Sequence, residues 1–254
     1  SVLPDQSFLT GVNSAYNFID LDGSNEKIDT DLNSTPADAT YIWWMKTSKT
    51  TENAVFGHGS NSKTGFTLNW SSTNKPLLYL NASNFRYFSL NDAQDDGNWH
   101  CWAIVNDNDD ITNAKLYIDG IEQSATSTTS TGADPSHSTG LSIGYGSAYF
   151  QGSIGQFAVW NNLLNESTIQ AIYNLGRNIN LLDSYSDNLV GYWAMSALDA
   201  LTGLSDSIST VYDRSGNSNH GRYFATTSLA CILSCHHKLP TLNLFLSLSL
   251  SLSL

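Results

Sequence analysis

Residues 97–123 have the sequence GNWHCWAIVNDNDDITNAKLYIDGIEQ, in which two β-prone segments flank a sharp turn. In the first segment, strict alternation places Trp102 on one face of an extended strand and Cys101 on the other. The pair Asp119-Gly120 stands between LYI and IEQ, and it is typical of a two-residue hairpin turn because glycine accepts a positive φ without steric cost. This stretch therefore predicts antiparallel β-structure.

Short β-prone segments separated by glycine, asparagine, aspartate and serine continue on both sides of this stretch. Strands spaced in this way, without helices between them, predict an antiparallel sandwich or barrel. The sequence therefore predicts an all-β fold, a two-sheet antiparallel β-sandwich. The predicted strands are 16–21, 41–46, 54–58, 65–70, 77–82, 100–105, 115–118, 141–144 and 153–160.

One helix is expected, at residues 166–175. Asn165 can cap its first turn, Ile169 and Ile172 supply an apolar stripe, and Gly176 follows as a stop. It is expected to pack against the edge of the sandwich. The segment 124–139, SATSTTSTGADPSHST, is low in apolar residues and predicts a long flexible loop.

The two ends of the chain differ from its body. Residues 1–15 form a short lead before the first predicted strand, and residues 16–225 hold the β-rich domain. Residues 226–254 end in LNLFLSLSLSLSL, whose alternation of leucine and serine is what a translated dinucleotide repeat of T and C would produce. We therefore expect this tail to be disordered low-complexity sequence or a gene-model artefact.

Charge limits the classes of partner. The chain has 254 residues, with 23 acidic against 11 basic side chains and a formal net charge of −12. Such a charge repels phosphate backbones and anionic headgroups, so nucleic acid and peripheral membrane binding are not expected. Because no apolar stretch reaches the ~18 residues of a transmembrane helix, membrane insertion is not expected either. Charged residues make up 13%, and asparagine, serine and threonine replace them at the surface.

Catalytic signatures are missing from the sequence. The chain has four glutamates, Glu26, Glu52, Glu122 and Glu166, and none belongs to the ExDxE pattern of retaining glucanases. No HExxH motif, Gly-x-Ser-x-Gly motif, phosphate-binding loop or dinucleotide-binding motif is present. We therefore expect no enzymatic activity. A glycoside hydrolase that uses aspartates from separate strands stays open as an alternative.

Aromatic residues are the candidate ligand contacts, because sugar rings stack on flat aromatic faces. Most tryptophans lie in strand-like segments typical of a core. Trp70 ends the segment GFTLNW, and Tyr145, Tyr149 and Phe150 lie in the loop sequence GYGSAYFQG. These four residues are the predicted carbohydrate contacts, with core or sheet-edge packing as the alternative.

A calcium site is the one candidate metal site, since hard cations need several oxygens converging from a loop. Asp213, Asn217 and Asn219 lie in DRSGNSNHG and could offer side-chain oxygens to one Ca²⁺ ion. The alternative is a wide turn held by side-chain to backbone hydrogen bonds. No other cofactor is expected.

Six segments, taken in order, resemble the concanavalin A-like lectin/glucanase superfamily, and specifically its laminin-G-like jelly roll, which includes pentraxins. They are FIDLDGSNEKI (18–28), TYIWWMK (40–46), GNWHCWAIV (97–105), KLYIDGIEQ (115–123), LSIGYG (141–146) and FQGSIGQFAVWNNLLNESTIQAIY (150–173). Two later segments, NLVGYWAM (188–195) and YDRSGNSNHG (212–221), are similar to a pair that either closes such a domain or opens a truncated second unit.

The resemblance implies a jelly roll with ligands and often Ca²⁺ at its rim loops, in an extracellular, cell-surface or virion-surface protein. Members of this family bind glycans, sulfated polymers or proteins. Because the chain has only 11 basic residues, sulfated glycans are disfavoured, and we expect a recognition module that binds neutral or cationic glycans, or a protein surface, through its rim loops. Two alternatives stay open, namely a structural or oligomerising domain of a virion or cell-surface assembly, and the hydrolase mentioned above. The oligomeric state is not predicted.

Overall fold

The computed structural model describes residues 18–34, 36–58, 64–70, 75–81, 83–90, 92–107, 110–130, 140–195 and 208–224. The predicted lead 1–15 and tail 226–254 lie outside these residues. Fifteen strands, one α-helix and a short 3-10 turn are found in the described part. They are β1 (Ile19–Asp22), β2 (Lys27–Thr30), β3 (Ala39–Lys46), β4 (Asn53–His58), β5 (Gly65–Trp70), β6 (Lys75–Asn81), β7 (Asn84–Ser89), β8 (His100–Asp107), β9 (Asp110–Ile118), β10 (Ile121–Thr129), β11 (Leu141–Ile143), β12 (Gln151–Trp160), α1 (Glu166–Leu175), the 3-10 turn Leu181–Asp183, β13 (Leu189–Trp193), β14 (Ile208–Val211) and β15 (Gly221–Phe224).

The strands form two antiparallel layers that share one strand. Sheet A has the order β1-β12-β3-β8-β9-β10, and β13 pairs with β12 beyond the end of β1. Sheet B has the order β10-β7-β6-β5-β4-β11-β2-β15-β14. Strand β10 pairs with β9 through its first residues and with β7 after Gln123, so it passes from one layer into the other. The predicted all-β jelly-roll sandwich is confirmed.

Aromatic side chains fill the space between the two layers. Trp43 on β3 is fully buried; its ring centroid lies 5.3 Å from that of Phe66 and 6.2 Å from that of Trp102. Phe56 and Phe157 complete this group from β4 and β12. Since complete burial of such a side chain contributes about 1.5–3 kcal/mol, each member of this cluster stabilises the fold appreciably. Trp102 points into it and Cys101 points away, as the alternation predicts.

The helix α1 covers the outer face of sheet A. Asn165 caps it by accepting a hydrogen bond from the backbone N–H of Thr168 at 2.9 Å, and it ends at Gly176, whose φ is 84°. Ile169 and Ile172 are buried against the outer side chains of sheet A, where the Trp44 and Tyr173 rings stack at 5.9 Å. The predicted helix is confirmed, and it lies on a sheet face and not at an edge. The central strands of sheet A, β3, β8 and β12, are therefore buried on both faces along most of their length.

The Asp119-Gly120 hairpin forms as the sequence predicts. Asp119 has φ 51° and Gly120 has φ 77°, the left-handed pair that a tight hairpin turn requires. The Asp119 carboxylate accepts a hydrogen bond from the backbone N–H of Cys101 at 2.8 Å, and the Nδ1 atom of His100 lies 2.7 Å from it. His100 is therefore a hydrogen-bonded sheet residue.

The predicted loop 124–139 is partly wrong. Residues 124–129 continue strand β10 and pair with β7, while 131–139 lie outside the described residues. The sequence predicted a loop because this segment has few apolar residues. This part of β10 has almost no buried side chain, so no apolar alternation marks the strand, although its threonines are compatible with extended backbone. Strands β2 and β7 were missed too.

The C-terminal strands join both layers. Strand β13 pairs with β12 in sheet A, and β15 pairs with β2 in sheet B. The two C-terminal segments therefore extend the same two sheets as the rest of the described chain. In the part of the chain that the structure describes, no helix is long and apolar enough to cross a membrane.

Candidate functional site

The outer face of sheet B has no helix upon it among the described residues, and the loop 144–150 lies over its centre. The backbone of this loop reaches strand β4 closely, since a Cβ atom at Gly57 would stand 3.0 Å from the Cα atom of Gly146. The Ser147 hydroxyl lies 3.0 Å from the Thr67 hydroxyl on β5, within hydrogen-bond distance. The loop is therefore fixed to the sheet by close backbone approach and by side-chain contact.

Two of the predicted contacts, Tyr145 and Tyr149, are brought together by this loop. They form a backbone bridge, their ring centroids are 4.7 Å apart, and the ring planes are inclined by 44°. Both side chains are half-buried, so part of each ring reaches solvent. Gly144, with φ 84°, begins the tight turn and donates its backbone N–H to Val55 at 2.7 Å. The result is an inclined aromatic pair on a rigid support.

The other two predicted contacts do not join this pair. Phe150 is completely buried in the core between the layers, so the expectation that it is exposed is wrong. It immediately precedes β12, and its ring points inward where the loop rejoins the sandwich. Trp70 ends strand β5 and pairs with Lys75, but its side chain lies outside the described residues.

Charged side chains flank the tyrosines. The Lys27 ammonium lies 5.1 Å from the centroid of the Tyr145 ring and 5.7 Å from that of the Phe224 ring. It forms an ion pair with Asp29 at 2.7 Å, and Asp29 also accepts a hydrogen bond from the Ser142 hydroxyl at 2.6 Å. Lys27, Asp29, Tyr145 and Tyr149 are called the tyrosine site below. It combines two ring faces with one donor and one acceptor.

Sequence reasoning missed the two charged members because β2 was not predicted as a strand. A sequence signal was available, because the apolar Ile28 stands between two charged residues, and alternation places Lys27 and Asp29 together on the opposite face. In the structure, Ile28 is completely buried. The closeness of that face to Tyr145 depends on the pairing of β2 with β11, which no local pattern indicates.

A buried tyrosine supports the loop from below. Tyr79 on β6 is 5% exposed, and burial raises the pKa of its phenol to about 12. It therefore stays neutral at all ordinary pH values. Its hydroxyl occupies the space above Gly65 and Gly146, and a Cβ atom at Gly146 would stand 2.7 Å from it. The site thus depends on glycines beneath it.

In the predicted calcium loop, both carboxylate oxygens of Asp213 accept hydrogen bonds from within the protein. One oxygen of Asp213 accepts from the backbone N–H groups of Tyr192 and Ser215, each at 2.9 Å. The other accepts from the Ser215 hydroxyl and the Asn219 N–H, also at 2.9 Å.

The two asparagines of that loop are also engaged. The Nδ2 atoms of Asn217 and Asn219 donate to carbonyls of β13, at 2.9 and 2.7 Å. Among the described residues, no group of three or more histidine, cysteine or acidic side chains is arranged to hold a metal ion. The hydrogen bonds accepted by Asp213 are those expected of the wide turn, and the calcium site stays a prediction.

Comparisons with known proteins agree with this architecture. A sequence family described as the concanavalin A-like lectin/glucanases superfamily matches residues 22–170. No curated protein sequence gives a significant match.

Two solved structures share the fold at low sequence identity. The heptameric SAP-like pentraxin of Limulus polyphemus has a TM-score of 0.52 and 17% identity, over 64% of this chain and 84% of the pentraxin. A putative carbohydrate binding protein of Bacteroides ovatus also has a TM-score of 0.52, with 13% identity, over 82% of this chain and 63% of that protein. The chain thus spans somewhat less than two thirds of the Bacteroides protein. With more than half of its residues matched by the family, the chain belongs to the concanavalin A-like lectin/glucanases superfamily.

Proposed function

We propose that this protein is a non-enzymatic recognition module that binds neutral glycans at the tyrosine site. The observation that carries the proposal is the inclined pair of Tyr145 and Tyr149, half-buried on the outer face of sheet B, on which no described helix lies. Aromatic pairs with a few convergent polar groups are typical of sites that hold a sugar ring by its C–H face and its hydroxyls. Lys27 and Asp29 supply those polar groups.

The charge balance supports a neutral ligand. Lys27 is paired with Asp29 at 2.7 Å, so the tyrosine site carries little net charge of its own. The whole chain carries −12, which disfavours sulfated and other anionic polymers at long range. Binding of a neutral hydroxyl-rich chain leaves no charged group without its partner. The negative net charge of the chain is also compatible with a cationic glycan.

The absence of catalysis is part of the proposal. A retaining glycosidase needs two carboxyl groups about 5 Å apart, one of them protonated. The acid in the tyrosine site, Asp29, is instead engaged by the Lys27 ammonium and the Ser142 hydroxyl, and the four residues of the site include no second carboxylate to pair with it. The description of the Bacteroides protein as carbohydrate binding points in the same direction by analogy of fold. An extracellular or cell-surface location belongs to this proposal.

A glycan array probed with the full chain tests the proposal. We expect signal on neutral glycans, and loss of it in Tyr145→Ala and Tyr149→Ala. The matched control is Tyr87→Ala, because Tyr87 is a half-buried tyrosine on β7, five strands and roughly 24 Å from β2 on sheet B. Equal loss in the control would contradict the assignment of the site. Absence of any signal, combined with self-association in sedimentation, would overturn the function in favour of a structural role.

A further inference from the structure

A second cleft lies at the rim of the sandwich, away from the tyrosines. It has a volume of about 490 Å³, within the ~300–1,000 Å³ typical of small-ligand pockets. Four asparagines line it, namely Asn33 and Asn161 from two loops and Asn217 and Asn219 from the turn after β14. It is called the asparagine cleft below. It adjoins Asp31, which follows β2, whereas Lys27 of the tyrosine site begins that strand.

The walls of the asparagine cleft are tied together by backbone hydrogen bonds. The Asp31 N–H donates to the His220 carbonyl at 3.0 Å, which joins the segment after β2 to the turn after β14. The Asn161 N–H donates to the Asn188 carbonyl at 2.9 Å, and the indole N–H of Trp193 donates to the Asn219 carbonyl at 3.0 Å. With Asp213 holding the interior of the turn, the cleft exists before any ligand arrives. Such preorganisation lowers the entropy cost of binding.

Two amide groups in the cleft have fixed orientations. The side chains of Asn217 and Asn219 each place an amide beside a carbonyl of β13, and only the Nδ2 end of an amide can donate to a carbonyl. The two Oδ1 atoms therefore remain as acceptors. On the other walls, Asn33 and Asn161 are exposed, and their amides offer both donors and acceptors. The lining thus presents a mixed set of hydrogen-bonding groups.

This set fits a neutral hydroxyl-rich ligand better than an ion. Each hydroxyl both donates and accepts, which matches carboxamides, and Leu32, Pro36 and Val190 in the lining can contact C–H groups. Among the described residues that line the cleft, a cation would find a single carboxylate, that of Asp31, and an anion would find no basic side chain. We infer that the asparagine cleft is a second binding site, which takes one neutral sugar residue through the carboxamides of Asn33, Asn161, Asn217 and Asn219. The inference does not depend on the tyrosine site.

Side-chain amide resonances of the ¹⁵N-labelled full chain test this inference. The probes are the methyl α- and β-glycosides of glucose, galactose, mannose and xylose at millimolar concentration, with CaCl₂ as a separate arm. We expect the Asn33 and Asn161 amide resonances to move saturably with at least one glycoside. In the double variant Asn33→Ala/Asn161→Ala, the Kd followed through the Asn219 amide should rise about tenfold. Ser34→Trp, at an exposed lining position, should abolish binding by filling the cleft.

The controls separate the two sites. Asn174→Ala changes an exposed asparagine on α1 and should leave the Kd unchanged. Tyr149→Ala should also leave the cleft shifts intact, so failure of the tyrosine site and failure of the cleft give different results. The inference is overturned if no glycoside moves these resonances, if the shifts survive Ser34→Trp, or if CaCl₂ saturates them and the glycosides do not.

Discussion

Tyr145 and Tyr149 face each other across a backbone bridge, with ring centroids 4.7 Å apart and planes inclined by 44°. The turn between them is short, and the bridge holds their two backbone segments side by side. Both rings rest on a loop that a Cβ at Gly57 or Gly146 would push away from the sheet. This relationship makes the pair a preformed platform.

Truncation of one ring should weaken glycan binding more than removal of its hydroxyl. Tyr149→Ala removes the stacking face, and we expect the Kd for an array-selected oligosaccharide to rise roughly tenfold. Tyr149→Phe keeps the ring, so its Kd should stay within about threefold of the parent value. Titration calorimetry of the three proteins measures both effects. A larger loss in Tyr149→Phe than in Tyr149→Ala would contradict stacking.

Removal of the Asp213 carboxylate should destabilise the fold. Asp213→Ala leaves the buried N–H of Tyr192 and those of Ser215 and Asn219 without their acceptor. Loss of charged hydrogen bonds to buried groups predicts a decrease of about 3 kcal/mol in the free energy of unfolding. Urea denaturation measures it, with Asp92→Ala at an exposed position as the control, expected within about 0.5 kcal/mol of the parent. A calcium-dependent stability in the parent protein would argue against this account of Asp213.

Addition of a methyl group at Gly65 should be costly. A Cβ atom there would stand 2.8 Å from the Phe56 carbonyl oxygen and would overlap the Tyr79 phenol. We expect Gly65→Ala to lower the free energy of unfolding by about 2–3 kcal/mol and to weaken glycan binding, because Tyr79 supports the loop. Gly216→Ala is the matched comparison, since its Cβ meets nothing within 4 Å and only its φ of 91° is strained, at about 1 kcal/mol. Equal costs for the two variants would be inconsistent with the predicted overlap.

The contribution of Glu26 to the free energy of unfolding should decrease as pH rises. It is 3% exposed, and burial raises its pKa above the usual 4.5, against the opposing hydrogen bonds from Tyr223 and the Asp22 N–H. The folded state then binds the proton more tightly than the unfolded state, so this contribution is present at low pH. It is lost between pH 4.5 and the raised pKa.

Glu26→Gln isolates this effect, because glutamine can still accept the Asp22 N–H and does not ionise. The stability of Glu26→Gln relative to the parent should increase as pH rises from 4 toward 7, measured by urea denaturation at each pH. A difference that stays constant, or that shrinks with rising pH, would contradict the direction of the shift.

Local patterns predicted most of the fold. Alternation around Trp102, the Asp119-Gly120 turn and the Asn165 cap each depend on neighbours in sequence, and each was predicted correctly. The misses depend on distant partners. Strand β10 crosses between the layers with almost no buried side chain, and Phe150 lies in the core just before β12 begins. Lys27 meets Tyr145 only through the pairing of β2 with β11.

A crystal structure of the chain with an array-selected neutral oligosaccharide tests the central claim most directly. The account predicts a sugar ring packed on Tyr145 and Tyr149, with its hydroxyls hydrogen-bonded to Lys27 or Asp29, and an intact glycosidic bond. A sugar bound elsewhere with the tyrosines unoccupied, or a cleaved product in the site, would contradict it.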